Sequence, residues 1–413
     1  MTRTPNVSPR GLKLKSPKNV AEPAMHVFGD RPAKARVLDA LLSEAVASEV
    51  APFLVGMTAN AAGTTWSGAS GDSSFGVAAG QETLFRIYSM SKGICATAAA
   101  ILVDRGQLNL DTAVEDILPE FAELGIVSDG GESQAAVPTF QKATVRQLAT
   151  HTSGLGYEFY DTATARYLKE NGQPSVLTGT AAGLRYPRLF EPGTRWQYGI
   201  GVDWLGLVIE AIDGRRIDRF CQEEIFRPLR MESTRFEASS VPELADVFAR
   251  NRGGGFEPVQ LSPPSQPEVY GMGSALYSTA SDYIRFLRMF LAHGELDGAR
   301  ILSSDRVGEM LANQIGDLRV QSLASATPDL SADLNILPGF AKSHSLGFMR
   351  LEEAIPGRRA AGSQFWGGVL NTHFWFDPAS DVAAVLMTQS LPFMDPAVMS
   401  AYERFERAVY DVA

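Results

Sequence analysis

The chain has 413 residues, 45% of them hydrophobic, and a formal net charge of -10. That length suffices for a sizeable core, or for two lobes sharing one cleft. No block of lysines and arginines is long enough to track phosphates, which excludes nucleic acid as an expected partner; no run approaches the roughly 20 apolar residues of a membrane-spanning helix.

The first twenty residues carry the only basic bias, Arg3, Arg10, Lys13, Lys15 and Lys18, interleaved with Pro5, Pro9 and Pro17. They lack the continuous apolar core of a secretory signal, so a flexible leader is expected over 1–25. Apolar spacing predicts a helix over 36–50, then strands over 53–58 and 65–67, broken by Ala61, Ala62 and Gly63. A helix is predicted to start at Ser89 or just after it, with Ile94, Ala98, Ile101 and Leu102 on helical spacing and Gly106 as its stop. From 144 to about 231 the text is mainly helix and loop, with helices clearest over 203–212 and 217–225. Further helices are predicted over 279–292 and 304–313. The chain then changes character: 345–351, 363–367, 372–376 and 381–389 read as successive strands, and 397–412 as a closing helix.

Strands near both ends and helices between them predict an α+β fold. An antiparallel sheet is flanked by terminal helices, with a mostly helical lobe inserted between its early and late strands. On this reading residues 26–413 are one catalytic domain: an α/β lobe of about 26–88 and 270–413, and a helical lobe of about 89–269, with the cleft where they meet. Cys95 and Cys221 sit in helix-like stretches without metal-ligand spacing and read as small buried hydrophobes. With no export signal, a reducing, cytoplasmic setting is expected. His26, His151, His293, His344 and His373 are scattered, so neither a metal nor another cofactor is expected.

Chemistry gathers at Ser89-Met90-Ser91-Lys92. On a helix, residues three apart share a face, so Ser89 and Lys92 can touch. A serine hydroxyl becomes a strong nucleophile when a neighbour takes its proton, and a lysine whose pKa is lowered by burial is able to. The helix N-terminus favours negative charge there. Ser91 is the local competitor, but two positions on it points away from Lys92. Of eight lysines, only Lys92 has a serine three residues before it. The alternative is an ordinary capped helix start with a solvated lysine.

A Pro192-Gly193 turn delivers Tyr198 just before the helix predicted from 203. A lone tyrosine is as a rule a core residue with a satisfied hydroxyl. Beside Lys92, the ammonium is expected to bring the phenol pKa down, so that Tyr198 takes the Ser89 proton and later gives it to the leaving group. In Trp366-Gly367-Gly368-Val369, two glycines leave a late strand open to close approach. The backbone N–H of Val369, paired with that of Ser89, is the expected oxyanion hole; the alternative is a β-bulge beside a buried tryptophan. Trp366, Gly367 and Gly368 are expected to touch substrate, with Tyr157, Phe159 and Tyr160, the Leu189-Phe190 pair and the loop 314–343 lining the cleft. His151 reads as a structural, hydrogen-bonded histidine. There is no Gly-x-Ser-x-Gly elbow, which speaks against an α/β-hydrolase.

These three elements, in this order, resemble the serine β-lactamase and penicillin-binding-protein superfamily, and more closely its esterase branch, the family VIII carboxylesterases. Ser89-Met90-Ser91-Lys92, Tyr198 and Trp366-Gly367-Gly368 match that branch's nucleophile, tyrosine and tryptophan motifs. Residues 148–155, 192–210 and Gly271-Met272-Gly273-Ser274 also resemble family text, and the likeness runs from about residue 36 to the C-terminus. A similar layout occurs in acyltransferases that attach a side chain to a statin precursor. Two departures matter. Ile200 stands where the β-lactamase tyrosine motif has Asn or Ser, and Trp366 where the last motif has Lys or His. Both disfavour an anionic amide and favour a neutral ester.

The resemblance thus implies a serine hydrolase that cleaves small neutral esters, with short acyl chains, through an acyl-enzyme. Acyl transfer to an alcohol shares every catalytic residue, and β-lactam or peptide hydrolysis is a weaker third reading. A catalytically silent binding domain would have lost Ser89, Lys92 or Tyr198, and all three are present.

Overall fold

The computed structural model describes residues 33–127, 138–238, 241 and 243–411; the leader expected over 1–25 lies outside them. The apolar run after the first helix, α1 (Ala33–Ala47), forms β1 (Phe53–Ala59), and all its residues are buried. A strand buried on both faces belongs in the middle of a sheet. It pairs antiparallel with β2 (Thr64–Ser74), which leads to the edge strand β3 (Val77–Ala78). Its other neighbour comes from far along the chain. After helices α2 (Ser91–Asp104), α3 (Gly201–Asp213) and α4 (Ala280–Leu291), the chain returns as β4 (Lys342–His344), β5 (Met349–Leu351), β6 (Gln364–Gly368), β7 (Thr372–Asp377) and β8 (Val382–Met387). The sheet order is β4-β5-β6-β7-β8-β1-β2-β3, with every pairing antiparallel. Early and late strands therefore share one sheet, and the α+β expectation holds.

Side-chain alternation along β7 covers both faces of the sheet. Trp375 points to the face where α1 meets the last helix, α5 (Pro396–Tyr410), with its ring 5.9 Å from Phe405. Phe374 and Phe376 point the other way, 5.1 Å from Tyr283 and 5.1 Å from Phe290 of α4. Truncating such a ring costs about 3–5 kcal/mol. Under α5, buried Glu406 accepts from Arg358 at 2.8 Å and Arg359 at 2.7 Å. Removing one partner of such a buried set costs about 3–5 kcal/mol.

Helix α2 is buried from Ser91 to Leu102, as befits a helix apolar nearly all round. Gly93 lets it approach the α4 side closely: a Cβ there would lie 2.5 Å from the Phe348 ring. On its other side α2 packs against α3. Among the described residues no helix is long and apolar enough to cross a membrane.

Candidate active site

The nucleophile candidate sits on a short segment tied at several points. Phe85–Arg86 pairs antiparallel with Tyr277–Ser278. Gln389 brackets Arg86, accepting its N–H at 3.0 Å and donating to its carbonyl at 3.2 Å. Tyr88 follows with a φ of +41°, a conformation costing about 1 kcal/mol or more in a non-glycine residue. One 3₁₀ turn, Tyr88–Met90, then leads into α2. Ser89 thus stands just ahead of the helix, half-buried. Ser91 is fully buried, and its Oγ accepts the Leu276 N–H at 3.1 Å. The competitor is used up in holding structure.

Lys92, 1% exposed, reaches back one turn, and its Nζ lies 3.0 Å from Ser89 Oγ. The Tyr198 hydroxyl donates to the same oxygen at 2.7 Å. Lys92 also donates to the Gly273 carbonyl at 2.8 Å and lies 4.9 Å from the Tyr198 ring centre. Burial brings its pKa down to about 7, against the pull of Asp203 in the other direction. The Tyr198 phenol departs from the sequence expectation: its pKa is pushed up, not down. Burial is the larger influence, and the bond to Ser89 offsets only part of it. A lysine half-neutral near pH 7 is also a weaker source of positive field for a phenolate.

Tyr198 is held from behind by an aromatic nest. His151 and Trp366 each sit with ring centroids 4.9 Å from it, and His344 lies 5.1 Å from His151. His151 Nδ1 accepts the Gly199 N–H at 3.4 Å, in keeping with a structural histidine. Burial drives both histidine pKa values down, that of His344 to about 4, so the nest is neutral at pH 7.

A cavity of about 590 Å³ opens in front of Ser89. Tyr157, Phe159, Tyr160, Gly367 and Val369 line it. Trp366 and Gly368 do not line it. Alternation along β6 turns both to the face opposite Gly367. Trp366 backs Tyr198, and Gly368 packs on the nucleophile segment, where a Cβ would meet the Ile87 carbonyl oxygen at 2.3 Å. Ile200 is fully buried. Leu189 packs at Gly156 and Phe190 beneath Arg195. From the loop 314–343, Leu330 and Ser331 line the cavity, joined by Leu177, Leu261, Gly273, Ser274 and Phe393.

One polar residue at the site escaped the sequence reading. Asp203, in the first turn of α3, is 1% exposed, and its Oδ1 accepts the Gly273 N–H at 2.8 Å. Burial raises its pKa to about 6, with Lys92 acting against the rise. The available signal was a carboxylate in the apolar run Val202-Asp203-Trp204-Leu205, which reads equally as an acidic first turn. Among the described residues no group of three or more His, Cys, Asp or Glu is placed to hold a metal ion.

A hydroxyl bonded to both an amine of pKa about 7 and a protonated phenol, at a helix entry beside an open cavity, can exchange its proton and attack a carbonyl. The chain is similar to known proteins over most of its length. Acyltransferase calJ of Penicillium decumbens is 29% identical over 336 residues, 77% of this chain and 78% of that protein. Simvastatin synthase (LovD) from Aspergillus terreus, in its LovD6 mutant form, superposes with a TM-score of 0.77 at 24% identity, covering 91% of this chain and 94% of that one. EstCE1, described as a hydrolase with promiscuous acyltransferase activity, gives a TM-score of 0.73 at 22% identity, covering 92% and 98%. The beta-lactamase family pattern matches residues 54–408, and the chain belongs to that family as a serine hydrolase or acyltransferase.

Proposed function

We propose that the protein cleaves small neutral carboxylic esters, through an acyl-enzyme on Ser89 that water then hydrolyses. The observation that carries this is the pair of contacts on Ser89 Oγ, 3.0 Å to Lys92 Nζ and 2.7 Å to the Tyr198 hydroxyl. Neutral Lys92 takes the serine proton as general base. Tyr198, kept as a phenol by burial, gives a proton to the departing alcohol and is recharged by the lysine. The N–H groups of Ser89 and Val369 receive the oxyanion. This reading places the chain with the family VIII carboxylesterases. It keeps the cleft as the junction of two lobes, 26–88 with 270–413 and 89–269. It keeps a cytoplasmic setting, in line with free, buried Cys95 and Cys221.

A second reading, transfer of the acyl group to an alcohol, is supported by the acyltransferase of Penicillium decumbens, which matches 77% of the chain. The test is a panel of nitrophenyl esters of increasing acyl length, run with and without added alcohol, together with a fluorophosphonate label. Label on Ser89 and nitrophenol release support the acyl-enzyme. Ester product in the presence of alcohol selects transfer over hydrolysis. Absence of both label and release overturns the proposal.

A further inference from the structure

The cavity in front of Ser89 is not closed on all sides. A second cavity, of about 450 Å³, adjoins it. Tyr88, Leu177, Leu261 and Ser274 line both. Tyr88 brings to this common wall a buried hydroxyl without a partner among the described residues.

The walls of the second cavity are built rigid. Pro263, Pro264 and Pro267 lie along it, each with its φ fixed by the ring. The Val269 N–H bonds the Gly179 carbonyl at 2.9 Å and ties the two sides together. Gly179 packs so closely that a Cβ would lie 2.6 Å from Pro267 Cβ. A site already ordered before binding loses little freedom when it is filled. None of its lining residues is Asp, Glu, Lys or Arg.

Chemistry decides which part of an ester goes there. The leaving oxygen must face the proton donors, Tyr198 and Lys92, and Lys92 is bonded to the Gly273 carbonyl. Ser274 is the next residue and borders both cavities. The alcohol side of the ester therefore leaves toward the second cavity, and the acyl chain keeps the side of Leu330, Val369 and Phe393. We infer that the second cavity binds the alcohol portion of the ester, and that it suits a neutral, largely apolar alcohol. The inference rests on Ser89 forming an acyl-enzyme.

The test varies the two halves of the substrate separately. Methyl acetate and cyclohexyl acetate differ only in the alcohol, while nitrophenyl acetate to hexanoate differ only in the acyl chain. Val269→Trp puts an indole into the second cavity and keeps the backbone bond to Gly179. It should lower kcat/KM for cyclohexyl acetate at least about tenfold more than for methyl acetate, with the acyl-length ranking kept. Val269→Ala, which widens the same wall, should move the cyclohexyl-to-methyl ratio the other way. An unchanged ratio in both variants overturns the assignment, and so does a shift in acyl-length ranking without one in the alcohol ratio. A wild-type chain that neither releases nitrophenol nor takes the fluorophosphonate label fails at the acyl-enzyme, before the second cavity is in question.

Discussion

Asp203 and Lys92 hold opposite ends of Gly273: the carboxylate accepts its N–H at 2.8 Å, and the amine donates to its carbonyl at 2.8 Å. The residue between them has no room for a side chain, since a Cβ on Gly273 would meet the Tyr157 hydroxyl at 2.6 Å. Asp203 thus acts through Gly273 and through space on the lysine, as a positioning residue. Cys95, Tyr157, Tyr198, His151 and His344 also face Lys92. Of these and Asp203, the carboxylate is the largest influence holding the ammonium's pKa up. Asp203→Asn keeps an acceptor for Gly273 and removes the charge. The pH limb governed by Lys92 should therefore move to lower pH, with KM little changed. A limb that stays in place would make Asp203 purely structural.

The wild-type limb itself follows from Lys92. Only the neutral amine accepts the serine proton, so kcat/KM for a nitrophenyl ester should rise through about pH 7 and fall tenfold per unit below it. The same group links to stability. Its folded pKa, about 7, lies below its ordinary 10.5, so between those values the unfolded chain binds more protons. Stability contributed by this group therefore increases as pH rises from about 7 toward 10.5. Lys92→Met should lack that increase, as measured by urea unfolding at several pH values, and should lose about 10²–10⁴ in kcat. Tyr198→Phe should lose a similar factor. The double variant should lose much less than the product, because the groups act as a unit.

Ser89→Ala should abolish turnover and labelling. Ser91→Ala should keep both, but it strips the Leu276 N–H of its acceptor. Leaving a buried donor unpaired costs about 1–3 kcal/mol, so the expected result is an active enzyme with a lower Tm. A fluorophosphonate adduct found on Ser91 by peptide mass spectrometry would reverse the two roles.

The spacing of Ser89 and Lys92 and the tyrosine before α3 were legible because helical geometry and turn chemistry are local. So were the late strands, whose apolar text is dense: 372–376 was read for Thr372–Asp377. Non-local influences were not legible. Of the strand expected over 345–351 only its end is strand, as β5; β4 lies just before it, and the chain between them turns at Gly347 to pass α2. Gly347 has a φ of +82°, and a Cβ there would meet Ala96 Cβ at 2.4 Å. β2 was read over three residues and spans Thr64–Ser74, since few of its residues are fully buried and its small polar text carries no alternation. The tryptophan motif was found, but not the direction of its side chain. One position in register separates a wall of the cavity from a support behind Tyr198.

Gly368 makes that support measurable. Its place is a contact between β6 and the nucleophile segment that only a hydrogen side chain fits. Gly368→Ala must push the Ile87 carbonyl away, and overpacking of this kind costs about 1–3 kcal/mol. Because Ser89 lies two residues on, kcat should drop along with Tm. Gly357→Ala meets no atom within 4 Å but has a φ of +69°; it serves as a control for strain away from the site and should leave kcat alone.

Substrate charge is decided by what lines the cavity, and this changes which mutation is informative. A carboxylate is recognised by a cation or a fork of donors where it lands. Tyr157, Phe159, Leu261, Leu330, Val369 and Phe393 offer apolar surface, and none of the cavity's lining residues is Lys or Arg. Lys92 is nearby, but its Nζ is engaged by Ser89 and Gly273. Neutral nitrophenyl esters should therefore be turned over far better than a chromogenic cephalosporin, whose carboxylate would lose water without gaining a partner. Trp366→Lys is a poor probe of this, because Trp366 is 4% exposed and packed edge-on behind Tyr198. A lysine there enters an apolar nest unpaired and should chiefly cost stability. Leu330→Lys is the better one, as Leu330 is half-buried and its side chain borders the open cavity. The ratio of kcat/KM for cephalosporin over ester should rise in that variant, mainly through KM, and the rise should fade with added salt as the new charge is screened. A wild-type chain that prefers the cephalosporin would sink the neutral-ester reading at once, since no group lining the cavity accounts for such a preference.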